Sequence, residues 1–203
     1  AEKAKSIGGT AAVLDVGEEA NVEKFFGEHS SFDHIAFTAG DTDGLSMGAL
    51  SDLDLKLAAS RFNTPFWGAV AVAKHGAIKL PPGGSYTFTN GMLAHRPMKG
   101  VPIVSASAMA AEGLALGLAV DLAPVRVNCV CPGLIDSRML SAIIDGRNPG
   151  NAPTPTERIV DRIPARRLGQ ASEVASIVAF LASDEASYVS GSAYTVDGGR
   201  TSA

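Results

Sequence analysis

The sequence has very few cysteines, only Cys129 and Cys131. They lie two residues apart in an apolar run, so a strand would point both thiols to the same face, where an unstrained disulfide is disfavoured. A redox or metal-binding pair usually has the Cys-x-x-Cys spacing or further His and Cys ligands. We therefore predict two buried structural thiols and no metal site.

The sequence also lacks any run of five or more Lys or Arg residues, and its formal net charge is −4. These two features exclude nucleic acid as a partner. We find no apolar stretch long enough to span a bilayer, and the polar start Ala1-Glu2-Lys3 is not typical of a signal peptide. The expectation is a cytoplasmic protein with a small-molecule substrate and no membrane partner.

What the chain does contain is enough apolar material, 46% of 203 residues, for one domain over residues 1–203. Apolar runs alternate with segments of helical spacing, which is typical of a parallel sheet covered on both faces. Strands are predicted at residues 12–16, 34–38, 85–89, 125–131 and 193–196. Helices are predicted at residues 21–29, 51–80, 102–122 and 173–182, the last with Ser172 as N-cap.

An irregular region at residues 139–164 interrupts this alternation. Its start, residues 139–144, is apolar, whereas residues 145–155 are dense in Gly, Asn and Pro. We interpret the region as a lid with an apolar inner face. Residues 146–155 are predicted to be disordered without ligand.

The order of these segments, with their junction residues, resembles the short-chain dehydrogenase/reductase family from its third strand to its C-terminus. The resemblance is carried by Asp15 after the first apolar run, by Phe37-Thr38-Ala39-Gly40, by Asn63 in the long helical stretch, by Pro132-Gly133, and by the closing Tyr188-Val189-Ser190-Gly191 and Val196-Asp197-Gly198-Gly199. It implies a Rossmann-type, doubly wound α/β fold and NADP or NAD as cofactor, with NADP favoured. The implied cofactor-binding residues are Asp15, Val16, Thr38, Ala39, Gly40, Pro132, Gly133, Ile135 and Ser137.

The chain departs from the family pattern at its start. A family member begins with a strand, a Gly-rich turn and a helix whose N-terminus binds the cofactor pyrophosphate, and this first βαβ unit does not precede Ala1. The residue that distinguishes NADP from NAD belongs to that unit. We expect such a unit to precede the sequence given, because its absence would expose the edges of buried strands.

A second departure concerns the catalytic residues. The family uses Ser, Tyr and Lys, and the Lys ammonium lowers the pKa of the Tyr phenol, which then passes a proton to the substrate. Here Val104 stands at the Tyr position, Ala108 at the Lys position, and Gly91 or Asn90 at the Ser position. Asn63 and Asn90 are the remaining candidates for catalytic side chains.

Loss of a proton donor bears on the reaction. Hydride transfer to a neutral carbonyl creates an alkoxide that needs a proton, whereas an iminium starts cationic and ends as a neutral amine. We therefore expect an NAD(P)-dependent reductase acting on a pre-activated C=N bond of a small apolar molecule. The alternatives are a non-redox cyclase or isomerase that orients its substrate, similar to fungal indole-alkaloid members of the superfamily, and a nucleotide-binding pseudoenzyme.

Two surface features remain. His95, Arg96 and Lys99 lie in the loop through which substrates enter family pockets. The small-residue surface of Gly113-Leu114-Ala115-Leu116-Gly117 indicates either tight helix packing or, by the resemblance, a subunit interface. We expect a homodimer or homotetramer.

Overall fold

The computed structural model describes residues 2–40, 49–144 and 156–203. Four parallel strands form one sheet in the order β1-β2-β3-β4. They are β1 (His34–Phe37), β2 (Ser85–Thr89), β3 (Arg126–Pro132) and β4 (Ala193–Val196). The predicted α/β class with a parallel, doubly wound sheet is confirmed, and these four strands were predicted to within a residue or two.

Within the described ranges, eight α-helices connect and flank the strands. They are α1 (Glu2–Ser6), α2 (Glu19–Gly27), α3 (Leu55–Ser60), α4 (Ala69–Gly76), α5 (Pro102–Asp121), α6 (Arg138–Ile144), α7 (Thr156–Val160) and α8 (Ala171–Ala182). Short 3₁₀ turns lie at Leu50–Asp52, Ala77–Lys79, Met92–Ala94 and Asp184–Ala186, and a π-helical turn covers Asn63–Gly68. The long helical stretch predicted at residues 51–80 is therefore real, although it is built from several pieces.

The central strands β2 and β3 are covered on both faces. Tyr86, Phe88, Val127 and Cys129 are almost fully buried in the main hydrophobic cluster. The Tyr86 hydroxyl donates to the Ala69 carbonyl at 2.9 Å, so its burial leaves no unpaired hydroxyl, and burial raises the pKa of the phenol. Sequence analysis located β3 from its apolar run and β2 from the alternation of Tyr86 and Phe88 with Ser and Thr residues.

Asn128 is a fully buried polar residue of β3. Its Nδ2 donates to the Val189 carbonyl at 2.9 Å, and its Oδ1 accepts from the Ser192 amide at 3.0 Å. Both sides of the amide are thus used to hold the segment that leads into β4. This segment orients the last strand against the sheet.

The strand predicted at residues 12–16 is not formed, and this prediction is wrong. The segment has no regular secondary structure, and the Val13 side chain is fully exposed. A strand needs a hydrogen-bonding neighbour, and within the described residues the sheet ends at β1, whose outer edge is unpaired. A short, mostly apolar segment without a partner strand remains irregular.

Helix α5 corrects the prediction that no segment is long and apolar enough to cross a membrane. It has 20 residues, and its most apolar window has a mean hydropathy of 1.7. Pro102 stands in the first turn, where a missing N–H costs nothing. One face, with Ser107, Ala108, Ala111 and Ala115, is buried in the fold and packs toward β3.

The N-cap predicted for α8 is also wrong. The helix begins at Ala171, and Gln170 caps it in a capping box with Glu173. Glu173 further pairs with Arg167 at 2.7 Å, and these hydrogen bonds lower the pKa of the Glu173 carboxyl to about 2. Ser172 instead lies within the first turn, where its carbonyl accepts from the Ser176 hydroxyl.

Candidate active site

A cavity of about 400 Å³ opens at the carboxyl ends of β1, β2 and β3, and we call it the strand-end cavity. Thr38, Thr89 and Pro132 mark these three strand ends in its wall. In open parallel sheets, ligands bind outside the carboxyl ends of the strands. Its wall is completed by residues of the loops that follow the strands and of α5 and α6, namely Ala39, Gly40, Arg61, Pro65, Asn90, Gly91, Met92, Leu93, Met98, Val104, Ser107, Ala108, Ala111, Gly133, Leu134, Ile135, Ser137, Met139 and Leu140.

Seven of the nine predicted cofactor-binding residues line this cavity: Thr38, Ala39, Gly40, Pro132, Gly133, Ile135 and Ser137. The other two do not. Asp15 is exposed, and its Oδ1 accepts from the Gly17 amide at 2.9 Å, while Val16 packs near Gly68. The structure therefore brings together the predicted residues at the ends of β1 and β3. The cofactor-binding roles of all nine residues remain predictions.

Two glycines of the wall differ in what surrounds them. At Gly40 no atom of the described residues, apart from its chain neighbours, lies within 4 Å of the place that a Cβ would occupy. At Gly133 a Cβ would lie 2.6 Å from the Cβ and 2.7 Å from the Cα of Asp197. Gly133 is therefore required by the close approach of the loop after β3 to the loop after β4.

Helix α5 supplies an apolar part of the wall. Val104 and Ala108, which stand at the predicted Tyr and Lys positions, both line the cavity one turn apart, and Ala111 continues the same surface. Among the described residues that line the cavity there is no His, Tyr, Lys, Cys, Asp or Glu. Arg61 is in the wall, and it is engaged in an interaction within the protein.

Asn90, one of the two predicted catalytic residues, follows β2 and lies in the wall of this cavity. Its Nδ2 donates to the Ala108 carbonyl at 2.9 Å and to Glu112 Oε1 at 3.2 Å. Both partners are acceptors, so they fix which side of the amide carries the nitrogen. Asn90 Oδ1 is buried and has no hydrogen-bond donor among the described residues.

The Glu112 carboxylate contacts hydrogen-bond donors from three separate parts of the chain. Its Oε1 lies 2.8 Å from His95 Nε2, 3.3 Å from the Cys131 thiol and 3.2 Å from Asn90 Nδ2. Cys129 and Cys131 are buried and free, as predicted. Contact with Cys129, burial and the neighbouring Glu112 carboxylate all raise the pKa of Cys131, which is therefore held as a thiol.

This cluster was missed by the sequence analysis. His95, Glu112 and Cys131 place a nitrogen, an oxygen and a sulfur atom within 4.8 Å of one another, so they form a set of potential metal ligands that the spacing of the cysteines alone did not indicate. The distances are those of hydrogen bonds, and the carboxylate satisfies its donors without an ion. The only available signal was the helical spacing of Glu112 from Ala108.

Asn63, the other predicted catalytic residue, is exposed at the start of the π-helical turn and does not line the strand-end cavity. The structure thus does not bring Asn63 and Asn90 together in this wall. A catalytic role for either residue remains a prediction.

The lid region is described only in part. Met139 and Leu140 of α6 line the strand-end cavity, as expected for an apolar inner face. Residues 145–155 lie outside the described residues, and with them lies the prediction of disorder at residues 146–155. The lid itself stays a prediction.

The chain is similar to oxidoreductases in both its family profile and its known relatives. The profile of the enoyl-(acyl carrier protein) reductase family matches residues 1–201. An uncharacterized oxidoreductase of Thermotoga maritima is 32% identical, with 98% of this chain and 81% of the relative covered. The cyclic-di-GMP-binding biofilm dispersal mediator protein of Escherichia coli is 30% identical over 96% of this chain and 78% of its own.

The solved structures agree. A crystal structure of a small-chain dehydrogenase in complex with NADPH has a TM-score of 0.81 at 32% identity, and the match covers 94% of this chain and 83% of that chain. The chain belongs to the short-chain dehydrogenase/reductase superfamily of oxidoreductases.

Proposed function

We propose that the protein is an NADP-dependent reductase of a pre-activated C=N bond in a small apolar molecule, with NAD as the less favoured cofactor. The observation that carries this proposal is a cavity wall whose described residues include no acidic group able to donate a proton, together with the buried acceptor Asn90 Oδ1, which has no donor among those residues. The substrate class follows from what such a wall can and cannot stabilise.

The strand-end cavity suits a nicotinamide nucleotide. Its position at the ends of parallel strands is where this superfamily binds dinucleotides, and none of the described residues beyond the chain neighbours of Gly40 would block a ligand from its backbone. A similar solved structure was obtained in complex with NADPH, which supports the same cofactor here. The bound cofactor would supply the hydride.

The apolar wall works against a carbonyl substrate. A reduced carbonyl leaves an alkoxide, and Val104 and Ala108 can neither protonate nor stabilise it. A protonated imine arrives with its own proton and leaves as a neutral amine. The neutral amine product leaves no charge for the apolar surface to stabilise.

Asn90 also favours an imine substrate over a carbonyl substrate. A buried acceptor without a donor is costly, and a substrate N–H group that donates to Asn90 Oδ1 removes that cost. A carbonyl oxygen is itself an acceptor and brings no such donor. Because Ala108 and Glu112 hold the amide nitrogen, the side chain cannot turn over to suit a carbonyl without losing two hydrogen bonds.

The test is Asn90→Ala in the full-length protein, with cyclic imines as substrates and Asn21→Ala, an exposed residue of α2, as the matched control. We expect kcat/KM for imines to fall about tenfold or more, since one hydrogen bond to a charged group is lost. NADPH affinity should be unchanged in both variants. An unchanged kcat/KM in Asn90→Ala, with the fold intact by circular dichroism, would contradict the proposal.

We further propose a cytoplasmic homodimer or homotetramer. Met109, Leu116 and Val120 of α5 are exposed by 48%, 60% and 77%, and with Gly113 and Gly117 they form an apolar surface that a second copy could cover. Leu116→Glu is expected to shift the mass measured by light scattering toward the monomer. Lys56→Glu on the exposed surface of α3 serves as the charge-change control.

A further inference from the structure

A second cavity, separate in its lining from the strand-end cavity, has a volume of about 510 Å³ and a wall rich in arginine. Arg96, Arg162, Arg166 and Arg200 line it together with Asp161, Ile163, Pro164 and Ala203. We call it the arginine cavity. Its cations come from three places in the chain: the loop after β2, the segment after α7 and the turn after β4.

Arg200 is the most informative of these residues. Its exposed fraction is only 8%, and its guanidinium has no hydrogen bond or ion pair with any of the described residues. Burial lowers the pKa of Arg200, and the nearby charges of Arg96 and Arg162 lower it further. A buried cation beside two like charges is unfavourable unless an anion accompanies it.

The side-chain carboxylates of Asp161 and Asp197 are already engaged. Asp161 is paired with Arg166 at 3.3 Å. Asp197 accepts hydrogen bonds from the Gly199 amide at 2.9 Å and the Thr201 amide at 2.6 Å, and these bonds keep its pKa below the ordinary value although its burial acts in the opposite direction. Asp197 offsets part of the charge of Arg200, whereas Arg96 and Arg162 act on Arg200 in the opposite direction.

We propose that the arginine cavity is a binding site for an oxyanion, a phosphate or carboxylate group carried by a small molecule. Guanidinium groups bind both oxyanions through paired N–H donors, and the volume is that of a small-molecule site. The anion would lie between Arg96, Arg162 and Arg200 and would neutralise a buried charge. The site does not depend on the reaction proposed for the strand-end cavity.

The two cavities share one segment of chain. Leu93 and Met98 line the strand-end cavity, whereas Arg96 between them lines the arginine cavity. The oxyanion could therefore belong to the substrate itself or to a separate molecule. The chemistry recognised is the same in both cases, and competition with NADPH separates both from the phosphates of the cofactor.

The experiment is calorimetric titration of the full-length protein with pyrophosphate and with citrate, at constant ionic strength set with potassium chloride. Arg162→Gln and Arg96→Gln are compared with Arg158→Gln, an exposed arginine of α7 that does not line the cavity. We expect saturable binding of at least one probe near one site per chain. Each cavity variant should weaken it about tenfold, and Arg158→Gln should leave it unchanged.

Two further results decide the source and the specificity. If saturating NADPH leaves probe binding intact, the site is separate from the cofactor, as proposed; competition by NADPH would assign the anion to the cofactor phosphates and overturn the proposal. Lack of saturable binding by either probe, or equal weakening in Arg158→Gln, would also overturn it. Circular dichroism of each variant establishes that a loss of binding is not a loss of fold.

Discussion

Replacement of Gly133 by alanine tests how the sheet shapes the strand-end cavity. The new Cβ would lie 2.6 Å from the Asp197 Cβ and 2.7 Å from its Cα, whereas ordinary carbon contacts begin near 3.4 Å. The loops after β3 and β4 would have to separate by about 0.8 Å. The Gly133 amide donates to the Val196 carbonyl at 2.9 Å, so this movement also strains the end of the β3–β4 pairing.

The contact atoms include backbone, which cannot turn away as a flexible side chain would. Overpacking of this kind costs about 1–3 kcal/mol, and we expect Gly133→Ala to reach about 3 kcal/mol because the hydrogen bond is affected as well. The matched control is Gly27→Ala at the end of α2, where no described atom beyond its chain neighbours and its own helix lies within 4 Å of the new Cβ. The control is expected to be neutral or stabilising by up to about 1 kcal/mol.

The assay is urea unfolding of both variants followed by far-ultraviolet circular dichroism, with NADPH affinity measured on the same samples. Gly133→Ala should lower the unfolding midpoint and weaken NADPH binding, whereas Gly27→Ala should change neither. A Gly133→Ala variant within about 0.5 kcal/mol of the parent would refute the steric reasoning.

Three other perturbations have definite expected outcomes. Asn128→Ala removes two buried hydrogen bonds that hold the segment before β4, and urea unfolding should show a loss of about 2–4 kcal/mol, whereas a loss below about 1 kcal/mol would be inconsistent with that role. The pKa of Glu173 is lowered from 4.5 to about 2, so its stabilising charge is present above pH 4.5 and is lost as the pH falls toward 2; the difference in Tm between the parent and Glu173→Gln should shrink over that interval, and a constant difference would argue against it. Val104→Tyr combined with Ala108→Lys should not produce efficient ketone reduction, because Glu112 one turn along α5 would pair with the new ammonium; rapid turnover of a ketone panel would count against this.

The elements predicted from the sequence are those whose pattern is local. Strand β2 is recognisable from alternation and β3 from its run of small apolar residues, and α5 is recognisable from its length and composition. The segment at residues 12–16 has the same apolar character but no partner strand, and pairing is a property of the sheet rather than of five residues. The cap of α8 was misplaced because Ser172 is a better N-cap by residue type, whereas Gln170 and Glu173 form the capping box.

The strand-end cavity was predictable only where its residues lie next to a recognisable strand. Thr38, Gly40 and Gly133 follow strands directly, so the strand ends locate them, and the family resemblance supplied their expected role. Glu112, His95 and Cys131 come from a helix, a loop and a strand, and only the fold brings them to one carboxylate. The arginines of the second cavity are likewise dispersed along the chain, with no local pattern to connect them.

The most direct test of the account is a paired assay of NADPH oxidation by the full-length protein, with isosteric cyclic imines and ketones at several pH values. We expect turnover of the imine to exceed that of the matched ketone and to increase at lower pH, where more of the imine is protonated. Reduction of the ketone at an equal or greater rate would contradict the proposed chemistry. Tight NADPH binding without reduction of either compound would also contradict it and would favour a nucleotide-binding protein without redox activity.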